Sequence, residues 1–154
     1  MEILRARGDK IEPASIDEAY LDVSSAGTFE KAEKLARKIK DEIKKKERLT
    51  ASIGVGPNKL IAKIKAIVNL EHIDRVVIGL PLNLKGEATL MTTEVQRFVE
   101  KLRNHTTVPV QTFDERLTSA MADRLLQENP SKHKKQDQVA AQIILQNYLD
   151  SVAV

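Results

Sequence analysis

The sequence predicts an α/β protein built on a mixed, mostly parallel five-stranded sheet, with helices on both faces and an antiparallel hairpin at its N-terminal side. Three observations predict this class. From about residue 28 onward, short apolar runs of strand length alternate with longer segments of three- and four-residue apolar spacing, the pattern of strands joined by covering helices. Residues 10–24 instead alternate apolar and polar positions around a bend, which is the pattern of a hairpin. No period of 20–50 residues repeats and no low-complexity tract interrupts the chain, so a solenoid or array is excluded.

Residues 3–8 carry only a weak helical lead-in. The first strand holds Ile11 and Pro13, and the return strand holds Tyr20, Leu21 and Val23. A Ser-Ser-Ala-Gly-Thr break at 24–28 then ends the hairpin, with Thr28 placed to cap the next element. Phe29, Ala32, Leu35, Ala36, Ile39 and Ile43 line one side of a helix running to about Glu47. Residues 49–56 read as a strand ending in glycines, followed by a helix with Leu60, Ile61, Ile64, Ile67 and Val68.

The apolar run 76–82 predicts a buried, central parallel strand. A polar loop with Gly86 follows over 83–91, and Thr92 or Thr93 caps a helix burying Val95, Phe98, Val99 and Leu102. Residues 108–113 form a further strand whose Pro109 marks a strand start or an edge. A helix through Ala120, Met121 and Leu125 and a basic turn at 131–135 lead to a final helix opened by Asp137, with Val139, Ala140, Ile143, Ile144 and Tyr148 on one side. The strand near 50–55 is open to two placements, beside 76–81 through a right-handed crossover or at the far edge of the sheet.

Composition narrows the function classes. With 154 residues, 42% of them hydrophobic, the chain suits one composite domain or two small coupled halves. No apolar run approaches the roughly 20 residues needed to span a bilayer, and the N-terminus lacks the layout of a secretory signal, so a cytoplasmic protein without a membrane partner is expected. The absence of cysteine excludes disulfides and thiolate metal sites, and the three histidines are too dispersed for zinc. Only 3% of residues are aromatic, so contact with nucleic acid would run mainly through phosphates rather than stacked bases. Residues 1–66 hold 15 basic against 11 acidic side chains, and the excess gathers at Lys44, Lys45, Lys46 and Arg48. That run is either a solvated helix end that complements the macrodipole or a nucleic-acid patch.

Four places carry candidate chemistry. Asp17 and Glu18 sit at the hairpin bend, with Asp22 beyond them, and carboxylates at a bend are either turn formers or oxygen ligands of the kind Mg²⁺ prefers. Lys59 opens a helix after a Gly-containing turn, where free N–H groups and a lysine suit phosphate, although full P-loop spacing is absent. Asp114 and Glu115 fall just past the carboxyl end of a predicted parallel strand, where ligands collect in open sheets. Asp137 opens the last helix, a position its dipole alone explains.

Two sets of motifs resemble two different families. The Ser-Ile-Asp-Glu-Ala-Tyr-Leu-Asp string at 15–22, the long helix after it and the Ser-Ile-Gly-Val-Gly-Pro-Asn-Lys string at 52–59 resemble the palm of Y-family, polymerase IV-like, lesion-bypass DNA polymerases over about residues 3–65. That resemblance implies Mg²⁺ binding at Asp17 and Glu18 and nucleotide-phosphate contact at Lys59. Residues 73–83, the Phe-Asp-Glu-Arg-Leu-Thr string at 113–118 and residues 137–151 resemble the RuvX/YqgF family of Holliday junction resolvase-like, RNase H-fold proteins linked to ribosomal RNA processing. That resemblance implies a Mg²⁺-dependent nuclease site drawing on Asp114 and Asp137, with Glu115 as a further member.

Both likenesses are partial: the first lacks a palm strand bearing another metal-binding acid, and the second lacks an opening strand supplying the first ligand. Two-metal chemistry needs acids that bring both ions to about 3.5–4 Å, so loss of a ligand strand is severe. The expectation is therefore a chimera, with 1–66 polymerase-like and 67–154 RuvX/YqgF-like, forming one RNase H-like or Rossmann-like composite domain that is engineered or recombinant and without a complete active site. No cofactor is expected to be retained, and Asp17, Glu18, Asp114, Glu115 and Asp137 are vestigial ligands. Expected partners are nucleic acid through its phosphates, and a second copy through dimerisation or strand exchange. The alternatives are a residual metal-dependent nuclease and a non-catalytic nucleic-acid binder.

Overall fold

A computed structural model describes residues 2–83, 85–114 and 136–152. The chain forms two compact units, Met1–Asp74 and Arg75–Val154.

In the first unit a short helix α1 (Glu2–Arg5) precedes strands β1 (Lys10–Pro13) and β2 (Ala19–Asp22). The two strands form the expected antiparallel hairpin, in a register that pairs Glu12 with Tyr20 and Lys10 with Asp22. Its bend is closed by the Ala14 and Ser15 amides, which donate to the Glu18 carbonyl at 2.9 and 3.1 Å. Gly8 allows the chain to enter the hairpin closely, since a Cβ there would lie 2.4 Å from the Leu21 side chain.

After a 3₁₀ turn (Ser24–Ala26), helix α2 (Phe29–Glu47) starts where the sequence places it. Thr28 is extended, and its hydroxyl accepts from the Lys31 amide at 3.3 Å, which satisfies one free N–H of the first turn. Ala32 and Ile39 are buried, seven residues apart on one face, while Leu35, Ala36 and Ile43 flank them half-buried. Lys44, Lys45 and Lys46 fall in the last turn, and Arg48 ends the helix in the left-handed conformation at φ 56°.

The strand expected over 49–56 does not form. No described residue pairs with it in a ladder; the segment instead lies against helix α3 (Lys59–Leu70). A Cβ on Gly54 would stand 1.9 Å from the Ala62 carbonyl oxygen and 2.6 Å from the Ala66 amide, and one on Gly56 would stand 2.8 Å from the Ala62 amide. Two alanines one turn apart leave that side of the helix nearly bare, so the glycine backbone packs directly on the helix backbone. Contact with a helix replaces the strand partner that a ladder would need. Asn58 then caps α3 by accepting from the Ile61 amide at 2.9 Å, and Ile61 and Val68 are buried.

In the second unit β3 (Val76–Leu80) and β4 (Val110–Asp114) pair in parallel, Val76 against Val110 through Leu80 against Asp114. β3 is half-buried along its length and, among the described residues, has β4 as its only strand neighbour, so the expected central position is not found. β4 begins two residues later than its apolar run; Pro109, which has no N–H, stays outside the strand and accepts from the Val76 amide at 2.9 Å.

Helix α4 (Leu90–Arg103) starts earlier than expected because Thr89, not Thr92 or Thr93, caps it. Thr89 and Thr92 form a capping box, the Thr89 amide donating to the Thr92 hydroxyl at 2.8 Å. Thr92 is fully buried and its hydroxyl also bonds the Pro81 carbonyl. At the other end of α4, the Arg103 Nε and a terminal nitrogen donate to the Val110 carbonyl at 3.1 and 2.9 Å, clamping the helix end to β4.

The last described helix, α5 (Gln136–Val152), places buried Tyr148 edge-on to Phe113 at 5.9 Å and 88°. The Tyr148 hydroxyl donates to Gln111 Oε1 at 2.6 Å and accepts from Arg75. Val99, Leu102, Val110 and Tyr148 are this unit's buried apolar core among the described residues.

The α/β class is therefore present, but the single five-stranded sheet is not. The described strands form two separate two-stranded sheets, one antiparallel and one parallel. The helix expected through Ala120 and Leu125 and the basic turn at 131–135 lie outside the described residues.

The backbone contact at Gly54 makes a direct prediction. Gly54→Ala forces a methyl into the α3 backbone and is expected to lower stability by roughly 1–3 kcal/mol, whereas Ser52→Ala in the same segment changes it little; urea midpoints of the two variants measure the difference.

Candidate functional site

The hairpin bend presents the first pair of predicted ligands. Its geometry explains why acids are tolerated there: Asp17 and Glu18 are exposed, not buried on a sheet face. The Ser15 hydroxyl accepts from the Glu18 amide at 3.1 Å and donates to Asp17 Oδ1 at 2.7 Å, so Asp17 is tied into the turn itself. Asp22 stands apart. Its Oδ1 accepts from the Ser24 hydroxyl at 2.6 Å and the Ser24 amide at 2.9 Å, contacts that hold its carboxyl below the ordinary 3.8. It thereby holds the first residue of the 3₁₀ turn, and beside it Asp9 accepts from the Ser25 amide at 2.8 Å.

Helix α3 brings two lysines to this bend. Lys59 and Lys63 are four residues apart and share a helix face. Lys63 donates to Glu18 Oε2 at 3.0 Å, and Lys59 donates to Glu12 Oε2 at 2.5 Å while standing 5.5 Å over the Tyr20 ring. Glu12 and Tyr20 are cross-strand partners, so Lys59 meets both on one face of the hairpin. The bond to Lys59 lowers the Glu12 pKa from its ordinary 4.5, and the bond to Glu18 raises that of Lys63 above its ordinary 10.5.

Glu12 was not among the residues the sequence singled out. Its partner lies 47 positions away, and the only local hint is that two lysines at helical spacing need acids facing them.

Behind these charges opens a cavity of about 820 Å³. Asp17, Glu18, Lys59 and Lys63 are part of its lining, and Leu35 and Ile39 of α2 are among its apolar walls. The cavity is bounded by β2 on one side and the unpaired segment 51–58 on the other. The acids are thus engaged with a serine hydroxyl and an ammonium, whereas Mg²⁺ demands a near-octahedral set of oxygens. Among the described residues no group of three or more His, Asp or Glu side chains gathers to hold a metal ion.

In the second unit Asp114 is the last residue of β4, exposed and paired in register with Leu80. It occupies the carboxyl end of a parallel strand, as expected. Asp137 lies in the first turn of α5, with its side chain outside the described residues, as is all of Glu115.

With an acid closing a parallel strand in one unit and a lysine-faced acidic hairpin in the other, the chain matches two protein families in sequence. Residues 44–151 match the RuvX family, described as Holliday junction resolvase, and the chain belongs to that family. Residues 1–66 match the impB/mucB/samB family, the Y-family polymerase group, so residues 44–66 fall within both matches.

Among its relatives, a protein of Chloroflexus aurantiacus named "Putative pre-16S rRNA nuclease" is 46% identical over 99 residues, which cover 62% of this chain and 65% of that protein. DNA polymerase IV of Saccharolobus solfataricus is 44% identical over 104 residues, 66% of this chain and 26% of the polymerase. DNA polymerase IV of Metallosphaera sedula is 53% identical over 70 residues, 45% of this chain and 20% of the polymerase. The chain thus spans about two thirds of the nuclease relative and about a fifth to a quarter of the polymerases.

The ion pairs give the unit a defined pH response. Glu12 and Glu42 are both held below the ordinary carboxylate value of 4.5, Glu42 by Lys46 and Arg7, so their contributions are intact above that value and are lost as pH falls through the lowered ones. Lys63 contributes below 10.5 and loses its contribution as pH rises through its raised value. Glu12→Gln is expected to flatten the acid limb of a Tm-against-pH curve, and Lys63→Gln the alkaline limb, with little change of either at neutral pH beyond a small uniform drop.

Proposed function

We propose that this chain is an engineered or recombinant hybrid domain, a polymerase-palm-like part joined to a RuvX-like part, without a complete active site. The observation that carries this reading is the mutual pairing of Glu18 with Lys63 and Glu12 with Lys59. Side chains that by resemblance would hold metal ions and nucleotide phosphates are engaged with charges of the same unit. The apolar cavity beside them, with β2 on one side and the unpaired 51–58 segment on the other, also supports a missing strand. On this reading Asp17 and Glu18 are former metal ligands, Lys59 is a former phosphate contact, and Asp114, Glu115 and Asp137 are remnants of the nuclease site.

The parentage supports a nucleic-acid partner reached through phosphates, and strand edges left unpaired among the described residues support self-association by dimerisation or strand exchange. No described helix is long and apolar enough to cross a membrane. A cytoplasmic location is part of this proposed reading.

A second reading, a residual metal-dependent nuclease, is favoured by the position of Asp114 at the carboxyl end of β4 inside the RuvX match. Incubation of a four-way DNA junction with the chain in Mg²⁺ or Mn²⁺, beside an Asp114→Asn, Asp137→Asn double variant, separates the two. The hybrid reading expects rates for the two proteins that agree within about twofold. Metal-dependent cleavage that disappears in the double variant would establish the nuclease instead.

A further inference from the structure

We propose that the outer face of α2 is a binding surface for the phosphate backbone of double-stranded nucleic acid, separate from the acidic hairpin and independent of whether any active site is complete. The inner face of this helix is committed: Ala32 and Ile39 are buried, and Leu35, Ala36 and Ile43 line the cavity. At 100° per residue, the opposite face carries Lys34, Arg37, Lys38, Lys44 and Lys45, all exposed, with Glu30 and Asp41 as its acids. The ion pairs around the helix are made elsewhere. Glu42 takes Arg7 and Lys46, and Glu33 takes Lys65. None of the five outer cations has an acidic partner among the described residues.

Lys34 stands three and four residues from Arg37 and Lys38, spacings at which like charges repel, while Glu30 and Asp41 stand at the same spacings from Lys34 and from the other four cations, respectively, so five cations against two acids leave the face a net charge of +3. The row from Lys34 to Lys45 extends about 16 Å along the axis at 1.5 Å per residue. That length reaches phosphates on both sides of a duplex groove about 12 Å wide. The face carries no aromatic side chain, so it offers no base-stacking platform and suits the backbone of a duplex rather than splayed single-stranded bases. An anionic membrane is the poorer fit. A helix that lies in a lipid interface inserts its apolar face, and here that face is buried inside the unit.

The test is fluorescence anisotropy of a labelled duplex of about 20 base pairs, two helical turns, titrated with the full chain across a range of salt concentrations. Three proteins are compared: the unaltered chain, a stripe variant (Lys34→Glu, Lys38→Glu, Lys45→Glu), and a control with the same charge change on other surfaces (Lys10→Glu, Lys85→Glu, Lys101→Glu). The unaltered chain is expected to bind with a strong salt dependence. The stripe variant is expected to lose at least about tenfold in affinity, with a log–log salt slope shallower by about 3, near 0.9 per phosphate contact removed. The control is expected to lose much less.

A Lys→Gln set at the three stripe positions gives the same reading if the Glu set fails to fold. The proposal is overturned if the chain does not bind the duplex, if stripe and control variants lose affinity equally, or if the stripe substitutions abolish binding to phosphatidylserine vesicles while leaving duplex binding unchanged.

Discussion

Within residues 1–74 the governing constraint is steric, the close approach of the backbone at Gly54 to the carbonyl of Ala62. Any side chain at Gly54 would collide with main-chain atoms, which cannot rotate away as a rotamer can. The contact seats the 49–56 segment on α3 instead of in a ladder, and it fixes where the chain turns into the Asn58 cap. From that start Lys59 and Lys63 emerge on one helix face, one turn apart, toward the hairpin. The charge arrangement at the bend is thus a consequence of packing several residues upstream.

The second unit is held differently, by polar clamps around a small apolar centre. Arg103 closes the α4–β4 connection by placing two donors on one carbonyl, and Thr92, fully buried, meets both the helix cap and the Pro81 carbonyl. Tyr148 joins α5 to β4 through Phe113 and Gln111 and to Arg75, the residue before β3. Buried polar atoms in this arrangement have partners, which is the condition under which polar groups strengthen a core rather than weaken it.

These constraints bear on function through charge. The same lysine spacing that would suit a phosphate instead neutralises Glu12 and Glu18, and exposed pairs of this kind are weak enough to be exchanged for other partners. The outer face of α2 is the contrasting case, since its five cations form no ion pair among the described residues and outnumber the face's two acids, Glu30 and Asp41. One unit therefore carries an acidic hairpin whose Glu12 and Glu18 are paired with lysines and, across α2 from the cavity, a surface with more cations than acids.

By itself the sequence determined the elements whose causes are local. Amphipathic spacing and Thr28 were sufficient for α2, the Gly-Pro-Asn turn for the start of α3, and the polar bend between alternating runs for the β1–β2 hairpin, because each depends on residues within a turn or two of one another. It also determined the two family likenesses. Strand pairing was decided only by the tertiary structure: residues 49–56 have strand composition, yet a strand exists only where another backbone edge lies beside it, and the alanine face of α3 took that place.

The α4 cap lies three or four residues before the expected one for a related reason. Thr89, Thr92 and Thr93 are equivalent as residue types, and burial of Thr92 against Pro81 chose among them. The acid–lysine pairing was hidden for the same reason at greater range, since Glu12 and Lys59 are 47 positions apart and no local pattern joins them. Local propensity selects the elements of this chain, and backbone proximity between distant segments selects how they pair.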